Sequence, residues 1–356
     1  MKYYSLQRNS PAVDFREAAT RGQAPDKGLY FPEQIPTMPA SVMENITAYT
    51  PEDLAYLVMQ PYIGEAIDPR SLYTILQETI HFPFPLVRVQ DDCYALELFH
   101  GPTLAFKDVG ARFMSRCLGY FSQQQDQKTT VLVATSGDTG GAVANGFLGV
   151  EGVEVVILYP SGKVSPVQEL QLATCGQNIT ALEVLGGFDE CQAMVKDAFM
   201  DAELRSRKRL TSANSINIAR WLPQQLYYFF AYQQWPDKLH PPVFSVPSGN
   251  FGNICAGLVA YRSGLPVAHF IAACNINDPV PEYLRHGAYR PRKAAPTISN
   301  AMDVGDPSNF VRIQELFGHD FKELQKMISG FTITDEATKA VMADVYQRTG
   351  YILDPH

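Results

Sequence analysis

The chain has 356 residues, 46% of them hydrophobic and 19% charged, which is long enough for two domains and apolar enough for a sizeable core. Its net charge of −8 argues against nucleic acid or an anionic membrane surface as the main partner. Six scattered cysteines without a CxxC pair, and seven histidines without metal-site spacing, predict reduced thiols and no metal centre. MKYYSLQRNS at the start lacks the apolar core of a signal peptide, and no apolar run approaches membrane length, which predicts a cytoplasmic protein.

Residues 1–95 are predicted to form an N-terminal cap or lid of short helices and irregular chain. Two amphipathic segments, 51–62 and 69–80, each begin with a proline, which is typical of the first turn of a helix. Residues 21–36 contain turn residues and indicate extended chain. Because long periodic runs are few, we do not expect this region to fold alone.

From about residue 96 the pattern alternates between strand and helix, which predicts an α/β fold with doubly wound, mainly parallel sheets. We expect two such lobes, 96–215 and 216–356. The predicted strands are 130–134, 153–159, 179–184, 243–246 and 269–274. The predicted helices are 107–122, 141–148, one opening at 165–166, 189–200, an aromatic-rich one from 221, one ending at 261, and 336–348. A new strand is predicted to begin at 351–353, so we expect the last C-terminal elements to be missing from this chain.

Lys107 is the first candidate for covalent chemistry. It stands in ELFHGPTLAFKDVG (97–110), among small and apolar residues, with Asp108 directly after it. An amine in apolar surroundings with few competing charges is what a carbonyl compound needs to form a Schiff base. A lone lysine at a helix start is more often an ordinary solvated residue, so the other motifs decide its meaning.

A second candidate is SGNFGN (248–253), which follows a predicted strand and opens a predicted helix. Its two glycines allow a tight turn, so that several backbone N–H groups can converge on one phosphate at a helix N-terminus. The pattern is not GxGxxG, and no Walker lysine follows, which disfavours a nucleotide. A helix start without any ligand is the alternative.

Two further polar loops also follow strands. ATSGDTG (134–140) offers hydroxyls and a carboxylate that suit the carboxylate group of an amino acid, although such residues also serve as plain helix caps. SANSINIAR (212–220) and the loop residue Lys163 can bind an oxyanion, or form a capped helix beside solvated cations. Because α/β sheets bind ligands at the carboxyl ends of their strands, the joint pattern predicts a phosphorylated cofactor on Lys107 and an anionic substrate beside it.

Taken together, HGPTLAFKDVG, ATSGDTG, SANSINIAR and SGNFGN, in this order and spacing, resemble the threonine synthase family of the tryptophan synthase β-like group. MKYYS at the N-terminus and SNAMDVGDPSNF (299–310) are also similar to that family. The resemblance implies a pyridoxal 5′-phosphate cofactor between the two lobes and an anionic amino-acid substrate. A monomer or a homodimer is expected.

The resemblance also implies a role for each motif residue. Lys107 matches the lysine that carries the cofactor and then acts as general base. The implied cofactor-binding residues are Lys107, Asp138, Gly249, Asn250, Phe251, Gly252 and Asn253. The implied substrate-binding residues are Ser136, Gly137, Thr139, Lys163, Asn214, Ser215, Asn217 and Arg220. Of these, 136–139 are expected at the substrate carboxylate, and the rest near the substrate phosphate.

The family's reaction converts O-phospho-L-homoserine and water to L-threonine and inorganic phosphate, which makes the implied enzyme a carbon–oxygen lyase of threonine biosynthesis. Lys107 is expected to take the Cα proton, after which a second deprotonation at Cβ expels the phosphate and water adds there. One alternative on the same scaffold is a phospholyase, which differs only after phosphate has left. Another is a threonine or serine dehydratase, which would not need the second set of anion-binding residues. A third is an inactive truncated relative, because in the family a continuation past His356 supplies the last strand and a hydroxyl residue that faces the pyridine nitrogen.

Overall fold

The computed structural model describes residues 1–123 and 127–356 and separates the chain into two compact units. Unit 1 comprises Met1–Pro36, Ala48–Pro83 and Leu98–Leu226, and unit 2 comprises Thr37–Thr47, Phe84–Glu97 and Tyr227–His356. This division differs from the predicted regions 1–95, 96–215 and 216–356. Both units take part of the N-terminal region, because a compact unit is defined by which residues contact each other and not by their order along the chain.

The α-helices and β-strands alternate through most of the chain. The strands are β1 (Tyr3–Ser5), β2 (Tyr30–Pro32), β3 (Leu86–Gln90), β4 (Cys93–Leu96), β5 (Thr129–Ala134), β6 (Val153–Pro160), β7 (Ile179–Val184), β8 (Arg209–Ser212), β9 (Val243–Pro247), β10 (His269–Cys274) and β11 (Ile328–Thr332). The helices are α1 (Phe15–Arg21), α2 (Ala40–Glu44), α3 (Pro51–Ile63), α4 (Pro69–Thr79), α5 (Lys107–Ser122), α6 (Asp138–Phe147), α7 (Pro166–Ala173), α8 (Phe188–Met200), α9 (Ala202–Arg207), α10 (Ile218–Trp221), α11 (Gln225–Gln234), α12 (Gly252–Arg262), α13 (Pro279–His286), α14 (Phe310–Leu316), α15 (Phe321–Met327) and α16 (Asp335–Thr349).

The main sheet of unit 1 is parallel throughout, with the strand order β7-β6-β5-β8. Strand β5 is buried along its whole length, as expected for an apolar strand covered on both faces. One cover is α8, whose Cys191 and Val195 pack with Leu132 of β5. Since β5 and β8 are parallel neighbours, the loops that follow them, 134–140 and 212–220, leave the sheet at the same edge.

The main sheet of unit 2 is also parallel, with the strand order β11-β10-β9. Strand β9 leads directly into the 248–253 turn and then into α12. Strand β10 lies beside it, with Phe270 opposite Phe244, and ends at Cys274. The turn and residue 275 therefore emerge at one edge of this sheet. The two parallel sheets confirm the predicted α/β class.

Helix starts were predicted well where a cap and a proline coincide. Thr50 accepts a hydrogen bond from the N–H of Asp53 at the start of α3, and Asp68 accepts one from Ser71 at the start of α4. Helix α5 begins at Lys107 and ends at Ser122, as predicted. Among the described residues, no helix is both long and apolar enough to cross a membrane.

Three local expectations need correction. Residues 351–356 form no strand. The Tyr351 hydroxyl donates a hydrogen bond to the Glu97 carboxylate at 2.9 Å, and the Tyr351 backbone N–H donates to the Thr349 hydroxyl. Helix α6 begins at Asp138, earlier than predicted, so Asp138 and the following threonine belong to its first turn. The aromatic helix is interrupted by a 3₁₀ turn at Leu222–Gln224, because Pro223 has no N–H to continue an α-helix. The expectation of further C-terminal elements stays a prediction.

Candidate active site

Lys107 is the first residue of α5, and its side chain is only 15% exposed. Its ammonium Nζ lies 2.8 Å from Oδ2 of Asp138, the first residue of α6. The same nitrogen lies 5.0 Å from the centre of the Phe106 ring, within the range of a cation–π contact. The predicted cofactor lysine and the predicted cofactor-edge carboxylate therefore meet directly within unit 1.

Asp108, the second residue of α5, bonds to the loop that precedes the helix. Its carboxylate is buried, and it accepts hydrogen bonds from the Thr103 N–H at 3.0 Å and from the Thr103 hydroxyl at 2.5 Å. Burial raises the pKa of Asp108, and the two bonds from Thr103 oppose that rise. The loop before Lys107 is thereby tied back onto its own helix.

The loop that carries Asp138 is shaped by a residue just before it. The buried hydroxyl of Thr135 accepts hydrogen bonds from the N–H groups of Gly137 at 3.0 Å and of Gly140 at 2.8 Å. Gly137 has φ of +141°, which other residues rarely adopt, and a Cβ there would lie 2.3 Å from the Gln168 side chain. Ser136 and Thr139 stand half-buried on the same loop.

Gln168 is a site residue that the sequence analysis missed. Its Nε2 donates to Oδ1 of Asp138 at 2.6 Å, so the Asp138 carboxylate contacts Gln168 through one oxygen and Lys107 through the other. Gln168 also forms a reciprocal capping box with Ser165 at the start of α7. The spacing S-x-x-Q after a loop is the sequence signal that could have drawn attention to this residue.

The 212–220 loop lies beside the Asp138 loop. The Asn214 amide donates to the carbonyl of Ala134, the last residue of β5, at 3.3 Å. Asn217 is fully buried, caps α10 by accepting from the Ala219 N–H, and donates to the Ala19 carbonyl at 2.9 Å. Its side chain thus shapes the loop from inside the protein.

The two predicted phosphate-binding cations differ in their surroundings. Arg220 is 3% exposed, and its guanidinium donates to the Ala213 carbonyl at 2.7 Å. Lys163 is exposed on the loop after β6, and its ammonium lies 3.5 Å from where a Cβ on Gly187 would stand. Ser215 is half-buried in the 212–220 loop. Arg220 is therefore part of the interior of unit 1, and Lys163 is part of its surface.

The predicted phosphate turn belongs to unit 2. Phe251 is buried with φ of +62° and ψ of 10°, a left-handed conformation, and Gly252 begins α12 directly after it. Asn253 donates to the Pro247 carbonyl at 2.6 Å, and its own carbonyl accepts from the Tyr228 hydroxyl at 2.8 Å. A Cβ on Gly249 would lie 2.8 Å from the Cα of Met302. The turn is thus held between strand β9, α11 and the chain near residue 302.

This chemistry fits pyridoxal phosphate. Lys107 supplies an amine for the cofactor aldehyde, and Asp138 is positioned to contact that amine. Phe251 reverses the backbone directly before α12 begins, and a helix N-terminus reached through such a turn suits a phosphate group. Among residues 1–123 and 127–356, no cluster of histidine, cysteine or acidic side chains could hold a metal ion.

Comparison with known proteins agrees with this interpretation. Residues 80–356 match the family described as pyridoxal-phosphate dependent enzyme, and residues 2–80 match the family described as threonine synthase N terminus. The chain is 44% identical to threonine synthase of Serratia marcescens over 357 residues, which cover 100% of this chain and 82% of that protein. The chain belongs to the threonine synthase family of pyridoxal-phosphate-dependent enzymes.

Solved structures of the family support the fold. The crystal structure of threonine synthase from Escherichia coli superposes with a TM-score of 0.93 at 43% identity, covering 100% of this chain and 82% of that one. A structure of pyridoxal-phosphate-bound threonine synthase from Brucella melitensis superposes with a TM-score of 0.94 at 36% identity, covering 100% of this chain and 83% of that one. The family resemblance and the cofactor inferred from the four motifs are both confirmed.

Proposed function

We propose that the protein converts O-phospho-L-homoserine and water to L-threonine and inorganic phosphate. Relatives that are 43% and 44% identical over the whole chain carry this family's name. One observation carries the proposal. The loops after β5 and β8 leave the sheet of unit 1 at the same edge, and Asp138, which follows β5, contacts Lys107 there. These loops offer groups for two anionic centres, which a substrate with both a carboxylate and a phosphate requires.

The residues that would hold pyridoxal phosphate come from three of the motifs. Lys107 would bond to it through Nζ, Asp138 would contact it beside that bond, and the N–H groups of the 248–253 turn would bind its phosphate. The turn residues concerned are Gly249, Asn250, Phe251, Gly252 and Asn253. When bound, pyridoxal phosphate supplies an electron sink for the electron pair left when a proton leaves the substrate.

Lys107 moves the protons. As a free amine, its Nζ takes the Cα proton of the bound substrate and becomes an ammonium. Asp138, 2.8 Å from that nitrogen, stabilises the charge by a direct ion pair. A second proton leaves Cβ as the γ-phosphate departs, and a proton is delivered to Cγ to form the methyl group. Water then adds its hydroxyl at Cβ, and Lys107 returns a proton to Cα.

The two anionic ends of the substrate bind the polar loops. Ser136, Gly137 and Thr139, at the N-terminal end of α6, take the substrate carboxylate. The γ-phosphate is bound by the 212–220 loop and the exposed Lys163. In that loop Asn214 and Ser215 reach the phosphate, Asn217 fixes the loop from within, and Arg220 adds positive charge beneath it.

Product analysis tests the proposal. The purified protein with pyridoxal phosphate is given O-phospho-L-homoserine, and released phosphate is compared with the amino acid formed. Equal amounts of phosphate and L-threonine support the proposal, and L-homoserine without the phosphate should be inert. If 2-oxobutyrate forms in place of threonine, the protein is a phospholyase, which shares every step up to phosphate release.

Two further properties stay predictions. A cytoplasmic location rests on six cysteines scattered without a disulfide pattern, and each of them is free in the structure. A monomer or homodimer is expected, and light scattering after size exclusion would measure its mass.

A further inference from the structure

The 299–310 segment, SNAMDVGDPSNF, has no part in the steps above, yet it runs along the phosphate turn within unit 2. Met302 lies against Gly249 so closely that a Cβ on the glycine would stand 2.8 Å from the Met302 Cα and 3.2 Å from its carbonyl oxygen. Only a glycine fits there without moving the backbone. The position of the turn is therefore coupled to the position of residue 302.

The far end of the segment contacts the next residue of the turn. Ser308 donates to Oδ1 of Asn250 twice, from its N–H at 2.7 Å and from its hydroxyl at 2.9 Å. The N–H of Asn309 reaches the Asn250 carbonyl at 3.4 Å. Both the side chain and the backbone carbonyl of Asn250 are thereby bonded to the 299–310 segment.

Phe251 adds an apolar contact at the same place. Its left-handed backbone is unfavourable for a bulky residue and persists only where the surroundings enforce it. The ring is 2% exposed and packs edge-on against Phe310, with 6.2 Å between ring centres. Three successive turn residues, 249–251, thus each contact this one segment.

Asp303 bonds the segment to residues outside it, at positions 275, 277 and 297. Its Oδ1 accepts hydrogen bonds from the Thr297 hydroxyl at 2.7 Å, the Asn275 amide at 2.9 Å and the Asn277 amide at 3.0 Å. Its Oδ2 accepts from the Thr297 N–H at 2.9 Å. Asn275 directly follows β10, the neighbour of the strand that leads into the turn. The carboxylate therefore ties residues 302–303 to the sheet edge from which the turn emerges.

We propose that Asp303 is a positioning residue for the cofactor phosphate, acting through Met302 on Gly249, with Ser308 as a second support at Asn250. The inference rests on the assignment of the cofactor phosphate to the 248–253 turn. An amide at position 303 would not replace the carboxylate, because all four of its partners are donors and an amide nitrogen cannot accept. Burial raises the pKa of Asp303 and these bonds oppose the rise.

A purely electrostatic role predicts the opposite result. A carboxylate near a phosphate repels it, so removing the charge would tighten cofactor binding if charge were all that mattered. If the carboxylate positions the turn, its removal weakens binding. The direction of the effect of Asp303→Asn on cofactor affinity therefore separates the two roles.

The experiment compares pyridoxal phosphate with pyridoxal, which lacks the phosphate but still reacts with Lys107. Each is titrated into cofactor-free protein, and binding is followed by visible absorbance. Asp303→Asn is expected to raise the Kd for pyridoxal phosphate roughly tenfold or more, as loss of hydrogen bonds to a charged group does, while the Kd for pyridoxal changes little. The matched control is Asp306→Asn, which removes the same charge from the segment. In the described part of the chain, the Asp306 carboxylate accepts one hydrogen bond, from the Tyr289 hydroxyl, and none from the phosphate turn.

The outcomes separate the inference from its premise. If the wild-type protein binds both compounds equally well, the turn does not hold the phosphate, and both the assignment and the inference fail. If the wild type prefers the phosphorylated compound and Asp303→Asn retains that preference, the inference alone is overturned. The inference is also overturned if Asp303→Asn weakens the binding of both compounds equally, because such a result indicates a general loss of structure and not an effect on the phosphate.

Ser308→Ala provides a second variant in case Asp303→Asn does not fold. It removes one of two hydrogen bonds to Asn250 and leaves the backbone N–H bond in place. A rise of roughly threefold to tenfold in the Kd for pyridoxal phosphate alone supports the inference. The ³¹P chemical shift of the bound cofactor should move in this variant and stay unchanged in Asp306→Asn; an unmoved shift together with unchanged affinity refutes the role of the segment.

Discussion

Lys107 and Asp138 are each the first residue of a helix, and their side chains meet with 2.8 Å between Nζ and Oδ2. An acidic side chain in the first turn is favoured by the helix macrodipole. The carboxylate is also held by Gln168 through its other oxygen, so its position does not depend on Lys107 alone. The amine that we propose carries the cofactor and moves protons thus has a fixed anionic partner.

The first prediction concerns Lys107 itself. Lys107→Ala should abolish turnover and remove the absorbance band of the cofactor joined to the lysine, because the variant lacks the amine that contacts Asp138. Borohydride treatment followed by peptide mass analysis should find the reduced cofactor on residue 107 in the wild type and nowhere in the variant. Retention of the band in the free variant would show that another residue carries the cofactor.

The second prediction concerns Gln168. Gln168→Ala removes the 2.6 Å hydrogen bond to Asp138, so the carboxylate gains freedom relative to Lys107. We expect kcat/KM to fall about tenfold to a hundredfold, the usual effect of losing a hydrogen bond to a charged group, and the pH profile of the cofactor absorbance to shift. Gln171→Ala, one turn further along α7, is the matched control and should leave both unchanged. A fall in kcat/KM with an unmoved pH profile would mean that Gln168 only supports α7.

The sequence predicted those parts of the molecule that depend on local signals. Prolines with capping residues marked α3 and α4 to within a residue or so, and the apolar run at 130–134 marked the buried strand β5. The roles of Lys107, Asp138 and the 248–253 turn stay predictions; the structure shows that Lys107 and Asp138 each begin a helix and that the turn follows β9 and leads into α12.

Residues that act across the fold escaped prediction. Gln168 reaches Asp138 only because α7 packs beside α6, and Asp303 gathers donors from 275, 277 and 297, which no periodicity brings together. Conversely, Tyr351-Ile-Leu has the composition of a strand but forms none, because a strand exists only where its backbone pairs with a neighbouring strand, and residues 351–356 have no such pairing in the described chain. Tertiary contacts decide such cases.

The third prediction separates the two cations assigned to the substrate phosphate. Lys163 is exposed, so Lys163→Ala should raise KM for O-phospho-L-homoserine about tenfold without lowering the melting temperature. Arg220 is buried and bonded to the Ala213 carbonyl, so Arg220→Ala should raise KM and also lower the melting temperature. The affinity for pyridoxal phosphate should change little in either variant.

Lys196→Ala is the control for the loss of one surface cation, since Lys196 is exposed on α8 outside the polar loops. It should leave KM unchanged. An unaltered KM in both Lys163→Ala and Arg220→Ala would remove these residues from the phosphate site and point to other groups of the 212–220 loop.

The fourth prediction concerns the pH dependence of stability at the start of α5. Burial raises the pKa of Asp108 above its ordinary value of 3.8, so the folded protein binds this proton more tightly than the unfolded chain does. The free energy of unfolding then falls as pH rises from the unfolded to the folded pKa, and the deficit is complete above both. The Thr103 hydroxyl, 2.5 Å from the carboxylate, limits this deficit by favouring the charged form.

Thr103→Val removes that donor, so the pKa of Asp108 should rise further and the pH window of falling stability should widen upward. At pH about 7 the variant should lose about 1–3 kcal/mol of unfolding free energy relative to the wild type, the cost of leaving a buried charged group with one hydrogen bond fewer. Near or below the ordinary pKa both proteins carry the proton, so the difference should shrink. Urea unfolding at several pH values measures this, with Thr74→Val as control, because the Thr74 hydroxyl donates only to the exposed carbonyl of Arg70. The same loss at every pH would show that Thr103 contributes packing alone and that its hydroxyl does not govern the charge on Asp108.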